Sequence, residues 1–338
     1  MGRTVTQYRL PDTLAKWPYR RRLNFHYLPV KAEASAWLES FNALSPKAQN
    51  AFNRCDFNLF AALSYPTFGE DRLRTACDLM NLFFLYDEYS DREGVDGMTQ
   101  LSAEIMYALR NPHEPRKDGK YIVGEIFRQF WERAIKTGNP NAHRRFIEAF
   151  DHHTAAMVEE AHDRSKQRIR DIEGYLEVRR GTIGARPAFG LIEFDMNLPS
   201  EVLDHPIVLE LVAAATDMLS IGNDIYSYNV EQARGDDTQN LVTIVMHEKN
   251  VDLPSSLTWI KEFHDSLVST FLTKSKEIPS FGEVIDAEVA QYVEALGNWV
   301  RANDCWCFES QRYFGTKGLE IQEQRVVTLL PKVNQASA

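Results

Sequence analysis

The chain has 338 residues, 44% of them hydrophobic and 25% charged, a composition that fits a globular protein and excludes disorder as its dominant state. Its net charge of −10 offers nucleic acid no basic face, and the one dense basic run, Arg20-Arg21-Arg22, is too short to supply one. No stretch approaches the roughly 18 apolar residues of a membrane span and no signal peptide opens the sequence, so a cytoplasmic protein without a stable membrane anchor is expected. Cys55, Cys77, Cys305 and Cys307 form neither a C-x-x-C pair nor a zinc comb and read as reduced thiols. Met1 to Thr6 fits a loose myristoylation pattern that is discounted as coincidence.

Apolar residues recur at spacings of three and four in almost every ordered-looking segment, and sustained strand-like alternation is scarce, which predicts an all-α fold. Residues 1–30, with Pro11, Pro18 and Pro29 among Trp17, Tyr19, Phe25 and Tyr27, are expected to form an irregular arm packed on the helices. Helices are predicted over about 31–44, 46–64, 69–92, 97–110, 121–137, 140–163, 168–185, 206–234, 238–249, 254–277 and 283–314. Turn residues interrupt the pattern at Asn111 to Pro115 with Asp118-Gly119, at Gly138-Asn139-Pro140, at Leu198-Pro199-Ser200 and at Ile278-Pro279-Ser280, none of them long enough for a domain linker. With no internal repeat, residues 31–332 read as a single domain with one core larger than a four-helix bundle, and 333–338 as a frayed tail.

An unusually apolar helix, Leu79 to Tyr86, ends abruptly in Asp87-Glu88-Tyr89-Ser90-Asp91. Asp87 and Asp91 stand one turn apart on one face, where like charges destabilise a helix unless a cation compensates. Taken alone, such a pair is no more than a solvated helix end. Further on, Asn223, Ser227 and Glu231 recur every four residues, a stripe about 12 Å long on one face. Met218, Leu219, Ile221 and Ile225 make the surrounding helix apolar, which argues against a stripe facing solvent. Amide, hydroxyl and carboxylate oxygens are hard ligands, suited to Mg²⁺ that shares its shell with phosphate oxygens and water rather than to zinc. After Trp299, Trp306 and Phe308, near the end of the last predicted helix, Arg312-Tyr313 combines a fixed fork of donors for phosphate oxygens with a phenol. Its weight comes from following both acidic motifs.

Together these elements resemble the class I terpene synthase family, in its fungal sesquiterpene synthase branch. Asp87 to Asp91 match that family's aspartate-rich motif, Asn223, Ser227 and Glu231 its second metal motif, and Arg312 and Tyr313 its terminal pair. A diphosphate-sensing arginine upstream of the second motif is also implied; Arg179 is the better placed candidate and Arg180 the reserve. The stretch Asn223 to Asp237 is similar above all to the protoilludene synthase group of mushroom-forming fungi.

The resemblance implies a catalytic domain over 31–332 that holds three Mg²⁺ ions through Asp87, Asn223, Ser227 and Glu231, with Asp91 as a further candidate ligand. It implies that Arg179, Arg312 and Tyr313 bind the diphosphate of a prenyl substrate, farnesyl diphosphate, and that the cation closes between its first and eleventh carbons, through a humulyl cation, to a protoilludene-type hydrocarbon. A carbocation needs an apolar, aromatic pocket, and Phe84, one turn before Asp87, and Trp306, on the helix read as carrying Arg312, are the contour candidates. Two positions depart from the family pattern: Val230 stands where many relatives carry a lysine or arginine, and Glu88 where other branches carry aspartate. Arg234, three residues beyond Glu231 and near the same face, is the candidate for the missing positive charge; the other reading pairs it with Asp236 or Asp237.

A chain-elongating prenyl diphosphate synthase would carry two similar aspartate-rich motifs, and a protonation-initiated cyclase an Asp-x-Asp-Asp motif, which is absent. His152-His153, His162-Asp163 and His264-Asp265 suggest a His-Asp metal phosphohydrolase, which would release phosphate from nucleotides. A non-enzymatic helical scaffold would bind neither Mg²⁺ nor a prenyl diphosphate.

Overall fold

The structure, a computed structural model, describes residues 7–115 and 121–333. The opening hexapeptide with its myristoylation pattern, the Asp118-Gly119 break and residues 334–338 of the expected tail lie outside them.

Most of the described chain is helical: α1 (Tyr27–Glu39), α2 (Pro46–Cys55), α3 (Phe57–Ser64), α4 (Glu70–Ser90), α5 (Val95–Arg110), α6 (Ile122–Ala134), α7 (Pro140–Ser165), α8 (Ile172–Thr182), α9 (Ala185–Gly190), α10 (Ser200–Leu203), α11 (Pro206–Arg234), α12 (Leu241–Lys249), α13 (Leu253–Lys274), α14 (Glu283–Glu309) and α15 (Gly318–Gln324). The fold class is all-α. One short antiparallel ladder, β1 (Gln7–Arg9) with β2 (Val326–Thr328), joins the two ends of the chain, Tyr8 opposite Val327.

The helix starts follow local chemistry. Pro46, Pro140, Pro206 and Pro254 each occupy a first-turn position, where a missing N–H costs nothing, and Ser45, Asn139 and Asp252 accept hydrogen bonds from the backbone at Ala48, Ala142 and Ser255. The same rule explains why α1 begins at Tyr27, four residues before the predicted start: Pro29 falls in its first turn, where it is tolerated. The predicted helix over 46–64 is two helices, broken at Asp56, which sits in the left-handed region (φ 47°). The break is stabilised from several sides: Asp56 caps α3 at Leu59, and its carboxylate accepts from the Tyr27 hydroxyl at 2.6 Å and pairs with Lys31. The last long helix ends at Glu309, not 314, so Arg312 and Tyr313 lie in the bends beyond it.

α11 occupies the middle, packed against α8, α12, α13 and α14, while α3 lies between α4 and α14 and α7 packs on α5, α8 and α9. α11 is long and apolar enough to cross a membrane by length and composition, yet 61% of its most apolar window is buried in the bundle. The arm is clamped to α14: the Trp17 indole donates to Gly297 O at 3.0 Å, and the Arg301 guanidinium donates to the carbonyls of Leu14, Trp17 and Tyr19. A Cβ at Gly297 would lie 2.2 Å from the Tyr19 ring, so only glycine lets the arm approach this closely.

His264 on α13 is 1% exposed and its Nδ1 has no hydrogen-bond partner. Burial pushes its pKa down from 6.5 to about 4. The unfolded chain therefore takes up this proton first as pH falls, and the stability it carries is lost between about pH 6.5 and 4. His264→Leu should narrow its stability difference from the wild type by about 2 kcal/mol between pH 7 and pH 5, measured by urea unfolding at both values. Parallel pH dependence in the two proteins would rule this out.

Candidate active site

A cavity of about 710 Å³ opens between α3, α4, α7, α8, α11 and α14. α4 brings Asp87 and Asp91 to its mouth on one side, and α11 brings Asn223, Ser227 and Glu231 on the other. Of the two candidate arginines, Arg179 lines the cavity, whereas Arg180 makes a two-pronged pair with Asp217 at 2.7 and 2.8 Å. Arg312 and Tyr313 also line the mouth, and Arg234, at the last residue of α11, reaches it as an exposed side chain with no ion pair to any described residue. Glu88 does not line the cavity; it lies 3.7 Å from both Arg312 and Arg92.

Hydrogen bonds connect these groups directly. Arg179 donates to the Asn223 amide oxygen at 2.7 Å, and the Asn223 amide nitrogen donates to the Tyr313 hydroxyl at 2.8 Å. Arg312 approaches Asp87 at 3.6 Å and lies 5.6 Å above the Phe84 ring. Behind Asn223, the Asp224 carboxylate, 2% exposed, accepts from the Tyr175 hydroxyl at 2.5 Å, from Arg179 at 3.1 Å and from the Leu241 backbone N–H at 3.1 Å. Asn240, the N-cap of α12, donates from its amide to Ser227 Oγ at 3.3 Å and Glu231 Oε2 at 2.8 Å, so one side chain aligns two of the three stripe residues. The sequence reading passed over Asn240, although an N-cap asparagine after Asp236-Asp237 was a visible helix start.

The electrostatics suit a divalent cation. Burial pushes the Glu231 carboxyl up to about 7 even though Ser227 and Asn240 hydrogen-bond to it. Asp91, exposed at the cavity's edge, is also raised, first by desolvation and then by the charge of Asp87. Carboxylates this crowded and desolvated are favoured in their charged form only by added positive charge, and the oxygens of Asp87, Asn223, Ser227 and Glu231 are the hard donors that such a cation prefers. No group of three or more His, Cys, Asp or Glu residues gathers for a metal among the described residues, since two of the three stripe donors are an amide and a hydroxyl.

Below the mouth the walls turn apolar and aromatic. Phe84 lines the cavity, stacked on Phe57 at 3.8 Å between ring centroids. Trp306 does not line the cavity: it is 0% exposed, its indole donates to Cys55 O at 2.8 Å, and it stacks on Phe60, which does face the interior. The carbonyl it binds is one of those freed by the α2/α3 break at Asp56. Phe60, Phe83, Trp299, His153 and Glu160 also line the cavity and were not singled out for it. Phe83 was within reach, since it lies one turn before Asp87 just as Phe84 does; the others come from helices whose orientation no motif reveals. Opposite Phe83, Gly184 ends the α8 segment at φ +71°, and a Cβ there would lie 3.1 Å from the Phe83 ring.

The likeness to known proteins agrees with this geometry. Residues 78–270 match the family described as Terpene synthase family 2, C-terminal metal binding. A Delta(6)-protoilludene synthase of Stereum hirsutum is 52% identical over 323 residues, 95% of this chain and 88% of that protein, and one of Armillaria gallica is 52% identical over 324 residues, 96% and 94%. The fold is shared with α-eudesmol synthase (TM-score 0.79, 17% identity, 87% of this chain and 98% of that one) and with germacradien-4-ol synthase of Streptomyces citricolor (TM-score 0.75, 21% identity, 86% and 96%). The chain therefore belongs to the class I terpene synthase family, in the fungal sesquiterpene synthase branch. It is a carbon–oxygen lyase acting on a prenyl diphosphate, and its family is one that uses divalent metal.

Phe84 and Trp306 now make separable predictions. Phe84→Ala should shift the product mixture towards acyclic or early-quenched terpenes, because its ring lines the cavity. Trp306→Ala should cost about 3–5 kcal/mol of stability and change the mixture less, because its ring supports the wall from behind. Product analysis beside thermal unfolding checks both; the reverse ranking would return Trp306 to the contour.

Proposed function

We propose that this protein is a Mg²⁺-dependent sesquiterpene cyclase that ionises farnesyl diphosphate and closes the cation between its first and eleventh carbons, by way of a humulyl cation, to a protoilludene-type hydrocarbon. Residues 31–332 form its catalytic domain and the cytoplasm is its compartment, a setting that suits its four buried, unpaired thiols. The observation that carries the reading is the convergence of Asp87 on α4 with Asn223, Ser227 and Glu231 on α11 around one mouth, together with Arg179, Arg312 and Tyr313, above an aromatic cavity. The names of the relatives at about 52% identity support the product class.

In this reading Asp87, Asn223, Ser227 and Glu231, assisted by Asp91, hold three Mg²⁺ ions, which when bound neutralise the diphosphate as a leaving group. Arg179, Arg312 and Tyr313 supply donors to its oxygens. Asp224 keeps Arg179 aimed at the mouth, and Tyr175 keeps Asp224 in place. Phe84, Phe83 and Trp299 exclude water from the cation and offer ring faces worth about 0.5–2 kcal/mol each.

Purified protein given farnesyl diphosphate and Mg²⁺ should release a volatile cyclic hydrocarbon, identified by mass spectrometry, and excess chelator should abolish it. Asp87→Asn and Glu231→Gln should each lower turnover at least about tenfold, or 1.4 kcal/mol of barrier. Full turnover in excess chelator contradicts the proposal. So would a product formed from geranyl or geranylgeranyl diphosphate but not from the farnesyl substrate.

Arg234 is assigned the charge missing at Val230. It lines the mouth, and the Asp237 carboxylate that could have held it instead accepts from the Thr243 hydroxyl at 2.7 Å. A charge-assisted bond to phosphate is worth roughly 1.5–3 kcal/mol, against no more than about 1 kcal/mol for an exposed ion pair. Arg234→Gln should therefore reduce kcat/KM about tenfold or more, and adding Val230→Lys should restore part of it. A variant with wild-type kinetics would remove Arg234 from the site.

A further inference from the structure

The stripe of α7 that faces the cavity runs His153, Met157, Glu160, Arg164. Its far end is at the mouth, where Arg164 donates to the carbonyl of Ser90, next to Asp91. His153 comes eleven residues earlier on the same helix, about 16 Å from Arg164 along its axis, and its ring lies 5.4 Å from that of Phe83, one turn before Asp87. It is the only histidine among the described residues that line the cavity.

Its protonation pattern follows from its partner. Nδ1 lies 2.8 Å from Gly181 O, and a carbonyl can only accept, so the proton is on Nδ1. Nε2 then carries a lone pair, receives no hydrogen bond from any described residue and, unlike Nδ1 of His264, is not sealed off. The ring is held by Phe83 and Phe150, which are parallel to one another and meet it edge-on at 5.4 Å each, and by Tyr86 at 5.7 Å. Burial pushes the imidazole pKa down to about 4, so it is neutral in ordinary conditions.

We propose that His153 is the base that takes the last proton from the cyclised cation, and so selects which alkene leaves; this rests on the cyclase reading above. The electrons of a C–H bond next to the cationic carbon become the new C=C bond, and the proton goes to Nε2. A strongly acidic carbocation gives up its proton even to a weak base, so position rather than basicity decides which C–H is broken. The low basicity of the imidazole then returns the proton to water when the cavity opens.

The test separates the base from a mere brace for Gly181. In His153→Asn the amide nitrogen occupies roughly the place of Nδ1 and can still donate to Gly181 O, but nothing replaces the Nε2 lone pair. His153→Gln puts an amide near the Nε2 position instead and serves as the second variant if the first does not fold. Each is assayed with farnesyl diphosphate and Mg²⁺ for diphosphate release, product ratio and thermal unfolding. The asparagine variant is expected to release diphosphate within about twofold of the wild type, while its main hydrocarbon falls at least about fivefold relative to isomeric alkenes and alcohols. The glutamine variant, with a carbonyl oxygen as a weak acceptor, should keep more of the main product. An unchanged product ratio in a folded variant overturns the proposal, as does slower turnover with the ratio intact, which would make His153 a positioning residue. If the wild type itself yields no hydrocarbon, the cyclase reading fails and this inference falls with it.

Discussion

The mouth of the cavity depends on one buried carboxylate. Asp224 binds a tyrosine and an arginine of α8 and the first backbone N–H of α12, while its own backbone belongs to α11. Three helices are thus fixed to a single charge whose desolvation is offset only because every partner is present. Removing one member of such a buried pair costs about 3–5 kcal/mol, since the other charge is left stranded. Asp224 directly follows Asn223, so the same constraint sets the rotation of α11 and turns Asn223, Ser227 and Glu231 together towards the mouth of the cavity.

From that anchor the site grades in one direction along several helices. On α4, Met80, Phe83 and Phe84 precede Asp87 and Asp91; on α11, Leu219 precedes Asn223, Ser227 and Glu231; on α7, His153 and Met157 precede Glu160 and Arg164. Each helix supplies apolar surface to the floor and charge to the rim, and the rise of about 1.5 Å per residue keeps the two apart. The separation has a chemical purpose. Charge is needed where the carbon–oxygen bond breaks, and would capture the cation if it extended further down.

Much of this could be read from residue spacing. A four-residue repeat fixes a helical face wherever the helix lies, so the α11 stripe and the Asp87/Asp91 pair were legible before any packing was known. The preference for Arg179 over Arg180 came from the resemblance rather than from spacing: adjacent residues on a helix point about 100° apart, and the pairing of Arg180 with Asp217 is what turns it away from the cavity. Trp306 misled for a related reason: an aromatic near a motif can form the wall or stand behind it, and the difference rests on a carbonyl freed by the break at Asp56. That break was itself hidden, as a single left-handed aspartate inside a helical pattern leaves no periodic signal. Phe60, Trp299 and His153 reach the cavity through tertiary packing alone.

The β1–β2 ladder joins residues 321 positions apart, Gln7 and Thr328. Its second strand also docks on α11, where Asn229 donates to Thr328 O at 3.0 Å and Gln232 to Leu330 O at 2.9 Å. During synthesis, then, Asn229 and Gln232 on the outer side of the last turns of α11 lack these partners until residues 326–330 have been made. Contacts so remote in sequence form late because the loop they close must be ordered first. The nascent enzyme passes through a stage in which its arm waits for a partner strand not yet made, and the last turns of α11, already packed on their inner side, gain this outer contact only when that strand arrives.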